Sequence, residues 1–250
     1  MGSVVIAKFG GSTIGVDGIS IPVIIQRISS ISKNAKVIAV FSAPLTVVEG
    51  KRTSLTDVVL ELGNRAKEGR TSDLIILKKT YEKILELVSS EFQDECKKII
   101  DDCLDKVSIE LEKAMEKKEF SDEIRSKTLA YSGEILMSYI MEYILQSQGI
   151  KSKAVKLENW PIVTDNNIEY TNFILSESNK RVEYIEKLLE QNQVITIGGF
   201  IGRTTDGVIT TYERGGSDRT AADLGILFQK KFDAKIDFEK DSSVVSADPK

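Results

Sequence analysis

The amino-acid sequence predicts an α/β protein: a three-layer α/β/α sandwich with a mostly parallel central sheet. Three observations lead there. Short β-branched runs alternate with longer stretches of helical apolar period along the 250 residues. Glycines fall just after the strands rather than inside them. The opening unit, residues 4–41, reads strand, helix, strand, which favours parallel pairing through a right-handed crossover. Ligands in such folds sit beyond the carboxyl ends of the strands.

The elements follow in order. Residues 4–9 (VVIAKF) make a strand that stops at a glycine loop, Gly10-Gly11-Ser12. A helix is expected over 19–31 and a buried strand over 36–41. A proline-free helical region covers 55–69 and then 72–118, with Ser72 and Asp73 at the start of its second part. Its charged faces read as solvated helix surface. Ser121 can cap a helix, or a pair of helices, running to Gln148, with Gly149 just past the end. A short strand is expected over 153–157, with loop at Trp160-Pro161 and over 164–167. Then come an amphipathic helix over 177–192 and a strand over 194–197 ending at Gly198-Gly199. A hairpin around Asp206-Gly207, a helix over 217–230 and a strand over 235–238 complete the pattern.

Composition narrows the chemistry. With 41% hydrophobic and 29% charged residues the chain is globular in type. No apolar run approaches the ~20 residues of a membrane helix. The start, MGSVVIAKFGGS, lacks a signal-peptide pattern, so a cytoplasmic protein with no membrane role is expected. A net charge of −4 without a basic cluster gives no reason to expect nucleic acid. Cys96 and Cys103 would sit two helical turns apart, too far for a disulfide, and read as buried thiols. The chain has no histidine, so acid–base work falls to carboxylates, lysine or tyrosine, or the chemistry needs no strong base.

Four motifs carry chemistry. In Lys8-Phe9-Gly10-Gly11-Ser12-Thr13 a strand-terminal lysine meets glycines that let backbone N–H groups approach a phosphate. It is not a Walker A loop, because the lysine precedes the glycines. Gly198-Gly199-Phe200-Ile201-Gly202 leads on to Arg214-Gly215-Gly216-Ser217-Asp218 before an alanine-rich helix, an anion site with Ser217 as expected N-cap. Arg214 is free to clamp a carboxylate. Tyr131-Ser132-Gly133-Glu134 puts a glycine within a helical run, which close approach of a backbone or ligand would explain; Glu134 beside it suits an ammonium group or open solvent. Ser42 closes the fourth, Val40-Phe41-Ser42-Ala43-Pro44, at a strand end.

In this order and spacing these motifs resemble the aspartate kinase branch of the amino-acid kinase superfamily, with Ala247-Asp248-Pro249-Lys250 as a further match. The resemblance implies the amino-acid kinase fold and transfer of the ATP γ-phosphate to L-aspartate with Mg²⁺. That reaction opens the biosynthesis of lysine, threonine and methionine. It implies that Lys8 stabilises the transferring phosphoryl group and Asp218 orients Lys8. Arg214 would bind the α-carboxylate of aspartate, Glu134 its ammonium, and Ser42 and Ser217 would add hydrogen bonds. Lys8, Gly10, Gly11, Ser12, Gly199, Gly215, Gly216 and Lys250 would serve the nucleotide. No protein-bound metal site is expected, and a homo-oligomer is. Residues 1–250 are expected to be a catalytic domain incomplete at its C-terminus, without an ACT domain.

The chain departs from the family in three places. Ser12 precedes Thr13 where the family has the reverse order. Residues 44–57 are long, leaving Thr46, Thr53 or Thr56 as the substrate threonine. Residues 239–243, Glu-Lys-Asp-Ser-Ser, replace the family's TD and DG nucleotide contacts. A kinase for another small carboxylate and a non-catalytic ligand-binding domain are the competing readings.

Overall fold

The computed structural model describes residues 2–71, 73–213 and 215–240. Strand β1 (Ser3–Phe9) leads into a one-turn helix α1 (Gly11–Ile14), then α2 (Ile21–Ser32) and β2 (Lys36–Phe41). A hairpin of β3 (Leu45–Val48) and β4 (Lys51–Ser54) precedes five helices: α3 (Leu55–Lys67), α4 (Ile75–Leu85), α5 (Ser90–Lys117), α6 (Asp122–Ser132) and α7 (Glu134–Ser147). Next come β5 (Ser152–Ala154), α8 (Leu175–Asn179), α9 (Val182–Gln191) and β6 (Val194–Gly198). The hairpin β7 (Ile201–Arg203) and β8 (Ile209–Thr211), then α10 (Gly216–Phe228) and β9 (Asp233–Glu239), finish the order.

Five strands form the central sheet in the order β5-β6-β2-β1-β9, and every pairing in it is parallel. Strands covered on both faces need apolar residues on both, and β1, β2 and β6 are buried almost throughout. Side chains alternate between faces. Thr196 of β6 donates its hydroxyl to the Ser138 carbonyl of α7 at 2.7 Å, so α7 covers the face shared by Thr196, Ala39 and Ala7. Gly225 of α10 abuts Ile236 and Ile6, which places α10 on the other face, the one that also carries Lys8. Right-handed crossovers put α2 with α7, and α9 with α10. This is the three-layer arrangement the sequence predicts. Among the described residues no helix is long and apolar enough to cross a membrane.

Several local expectations change. Gly10 is not followed by a loop: it is extended (φ −74°, ψ 166°) and starts the single turn α1. The helical region over 72–118 breaks between α4 and α5, where Ser89 turns extended; Ser72 lies outside the described residues. The expected helix over 177–192 divides into α8 and α9, and the strand expected over 153–157 is Ser152–Ala154 followed by a 3₁₀ turn. The β3–β4 hairpin is new. Its Glu49-Gly50 turn has both residues at positive φ (50° and 77°), the geometry of a two-residue hairpin loop. Gly149 does end α7: its N–H and that of Ile150 reach the carbonyls of Gln146 and Leu145.

Gly133 separates α6 from α7 because of what lies beside it. A Cβ at Gly133 would stand 2.8 Å from the Cβ of Ala43, just past β2. Gly198 at the end of β6 is equally constrained, since a Cβ there would meet the Glu134 backbone at 2.8 Å. The start of α7 is thus seated directly on the sheet. Gly198→Ala should lower stability by ~1–3 kcal/mol through overpacking, read by urea unfolding. An unchanged midpoint would mean that α7 is free to shift.

Candidate active site

The carboxyl ends of β1, β2 and β6 and the start of α10 enclose a cavity of about 460 Å³. Lys8, Gly11, Ser12, Ser42, Glu134, Gly215, Gly216, Ser217 and Asp218 all line it. Gly10 and Gly199 stand just behind this lining. A Cβ on Gly10 would lie 3.1 Å from Lys8 Nζ, and one on Gly199 would strike Ser217 at 2.5 Å. Arg214 and Lys250 lie outside the described residues.

Lys8 points from β1 to the α10 side and is only 8% exposed. Its Nζ sits 2.7 Å from Asp218 Oδ1, an ion pair that joins the sheet edge to the first turn of α10. Lys240, just past β9, places its Nζ 3.9 Å from the other oxygen of Asp218. The end of β9 is fixed there by Thr13, whose hydroxyl donates to the Glu239 carbonyl at 3.0 Å. Arg27 reinforces it by pairing with both Glu239 and Asp237.

Ser217 is not the N-cap of α10. Gly215, at φ +90°, takes that place, and Ser217 lies inside the first turn, buried against Gly199. A left-handed residue is needed where the chain turns into the helix, and glycine meets that need without strain. Asp218 does occupy the first turn, where a carboxylate suits the helix dipole. Phe200 adopts φ +67° in the cavity wall, held by its N–H donating to Thr220 Oγ1 at 3.0 Å.

Glu134 is 5% exposed, against the solvent-facing position that its charge alone would suggest. Burial pushes its carboxyl up to about 7, opposed only in part by N–H groups of Glu134 and Ala43. Its Oε2 is buried with no hydrogen-bond partner, while the residue lines the cavity. A buried acceptor left unmatched is costly and suits a cationic ligand group.

Of the three candidate threonines, Thr56 lines the cavity. Thr46 is engaged elsewhere with Asp17 and Thr80. Tyr212, Arg125, Glu169 and Tyr170 are among the other lining residues, and sequence reasoning missed them. Tyr212 donates to the buried Asp223 at 2.5 Å, and burial pushes both groups up. Arg125 and Glu169 pair at 3.1 Å, and Tyr170 stands beside them. Only Tyr212 adjoined a recognised motif; the others come from segments without one. The two cysteines are buried on α5, and burial pushes Cys96 to about 12 and Cys103 to about 11, so neither is a ready nucleophile.

Comparisons with known proteins agree with this fold. The model of the amino acid kinase family matches residues 3–250. Aspartokinase from Rickettsia felis is 36% identical over 120 residues, which is 48% of this chain and 28% of that protein. Aspartokinase 1 from Bacillus subtilis is 31% identical over 119 residues, 47% of this chain and 28% of that one. The matched stretches therefore span under a third of these relatives. The crystal structure of E. coli aspartokinase III with aspartate and ADP superposes with a TM-score of 0.71 at 20% identity, covering 94% of this chain and 49% of that one. The same enzyme with lysine and aspartate gives 0.68 over 90% of this chain and 47% of that one. At 20% identity these two matches speak for the fold.

The Glu134 carboxyl makes a stability test. Its folded pKa lies above the ordinary 4.5, so its contribution to stability is complete below about 4.5 and is lost as pH rises through about 7. Glu134→Gln removes that loss. The variant should exceed wild type by ~3 kcal/mol at pH 8, with the gap shrinking towards pH 5, by urea unfolding at both pH values. Equal stability at pH 8 would contradict the burial argument.

Proposed function

The chain belongs to the amino acid kinase family, and we propose that within it the chain acts as an aspartate kinase. It would move the γ-phosphoryl group of ATP onto the β-carboxylate of L-aspartate, giving 4-phospho-L-aspartate. One observation carries the reading: a single cavity sets the Lys8–Asp218 ion pair beside the buried, unmatched carboxyl of Glu134. The first suits a phosphoryl group and the second an ammonium.

In this reading Lys8 neutralises charge on the transferring phosphoryl group, and Asp218 holds Lys8 in line. Glu134 takes the substrate ammonium, which favours its ionised form. Arg214 takes the α-carboxylate, while Ser42 and Ser217 hydrogen-bond the substrate. The backbone at Gly10, Gly11, Ser12, Gly199, Gly215 and Gly216, with Lys250, serves the phosphates. The acceptor carboxylate is already a nucleophile at neutral pH, so transfer needs positioning and charge neutralisation rather than a base. A chain without histidine suits that chemistry. Among the described residues no group of three or more Cys, Asp and Glu side chains is arranged to hold a metal ion. Magnesium would arrive on the nucleotide, as Mg·ATP.

A coupled ADP-release assay with L-aspartate, L-glutamate or no acceptor tests the reading. Turnover is expected with aspartate. Turnover with glutamate alone would move the chain to another acceptor, and failure to bind Mg·ATP at millimolar concentration would make it a ligand-binding domain. Lys8→Ala should cut kcat by ~10²–10³-fold or more with the fold intact by circular dichroism. Arg214→Ala should raise the aspartate KM by ~10–100-fold and leave the ATP KM unchanged. An effect confined to ATP would reassign Arg214.

A further inference from the structure

L-Aspartate brings three charged groups: the carboxylate to be phosphorylated, an ammonium and a second carboxylate. In the proposed reading Glu134 answers the ammonium, and Lys8 the phosphoryl group that the first carboxylate receives. Among the described residues that line the cavity, the cations are Lys8 and Arg125. Arg125 is oddly placed for a structural residue. It stands near the start of α6, where the helix dipole disfavours a cation. Leu129, one turn further along, also lines the cavity, so this face of α6 is turned towards the ligand space.

Glu169 holds Arg125 in place. Its Oε2 lies 3.1 Å from Arg125 Nη1, and its Oε1 accepts the backbone N–H of Asp122 at 2.8 Å. Its charge is thus divided between the guanidinium and the N-terminus of α6. Arg125 keeps further donors and part of its positive potential for a ligand. Both side chains are largely shielded, at 23% and 20% exposure, which strengthens a fixed pairing. The loop carrying Glu169 is organised without Arg125. The Asp165 carboxylate accepts from the N–H groups of Asn167 and Asn172, the Asn172 amide and the Thr171 hydroxyl. Glu169 is therefore presented to α6 by its own loop.

We infer that Arg125, positioned by Glu169, is a second carboxylate-binding residue at the acceptor end, sharing the non-reacting carboxylate with Arg214 and selecting a dicarboxylic amino acid. The inference rests on the aspartate-kinase reading above. A planar guanidinium meets a carboxylate through two parallel hydrogen bonds, and a carboxylate offers about four lone-pair sites, enough for two such partners.

The test compares L-aspartate with its α-amide, which lacks the non-reacting carboxylate, at saturating Mg·ATP. In Arg125→Ala the kcat/KM preference for aspartate over the amide should fall ~10-fold or more, with the ATP KM unchanged. Arg125→Lys should restore part of it, and Glu169→Gln should lie between. An unchanged preference, or equal losses on both substrates, would reduce the pair to a loop fastening and overturn the inference. If wild type proves unable to turn over aspartate, the proposed activity falls first. Calorimetric titration with L-aspartate then decides this point: binding to wild type weakened ~10-fold in Arg125→Ala sustains it, and equal or absent binding ends it.

Discussion

The close seating of α7 on the sheet is the constraint on which the site depends. Gly133 lies against Ala43, and Gly198 against the Glu134 backbone, so no side chain can separate helix from strand at either point. The first residue of α7 is thereby driven into the interior with its carboxyl. Burial raises that carboxyl to about 7 and leaves one oxygen without a partner. An interior acid of this kind lowers the stability of the free protein at neutral pH. Its retention makes sense as a place kept for a cation.

The remaining chemistry follows from a parallel sheet. Because all five strands run the same way, the ends of β1, β2 and β6 share one edge with the start of α10. Register then divides the roles between layers. Lys8 leans to the α10 side and meets Asp218, whereas Glu134 comes from the α7 side. The cavity straddles the edge between them, so a ligand can touch the Lys8–Asp218 pair and the Glu134 carboxyl together. The same topology brings Lys240 beside Asp218.

Much of this was legible in the residues. Strand–helix alternation predicted the layered fold, and the four motifs marked nine residues that line one cavity. The glycine at 133 suggested a close approach, which Ala43 supplies. Other features left no local trace. The break between α4 and α5 has no proline or glycine to announce it. Ser217 has the chemistry of a cap, yet the left-handed turn is set by Gly215 two positions earlier in the motif. Arg125 and Glu169 are 44 positions apart (169 − 125) and meet only through tertiary packing. The burial of Glu134 is likewise a property of packing, since a lone glutamate in a helical run reads as exposed.

The claim that ties fold to function is that Glu134 is partly protonated in the free protein and ionises when an amino-acid ammonium binds. Calorimetry of L-aspartate binding at pH 6.5, in buffers of different ionisation enthalpy, measures the protons exchanged. The account predicts release of a substantial fraction of a proton at pH 6.5, fading by pH 8.5 and absent in Glu134→Gln. Binding without proton release at pH 6.5, or release that persists in the variant, would contradict it.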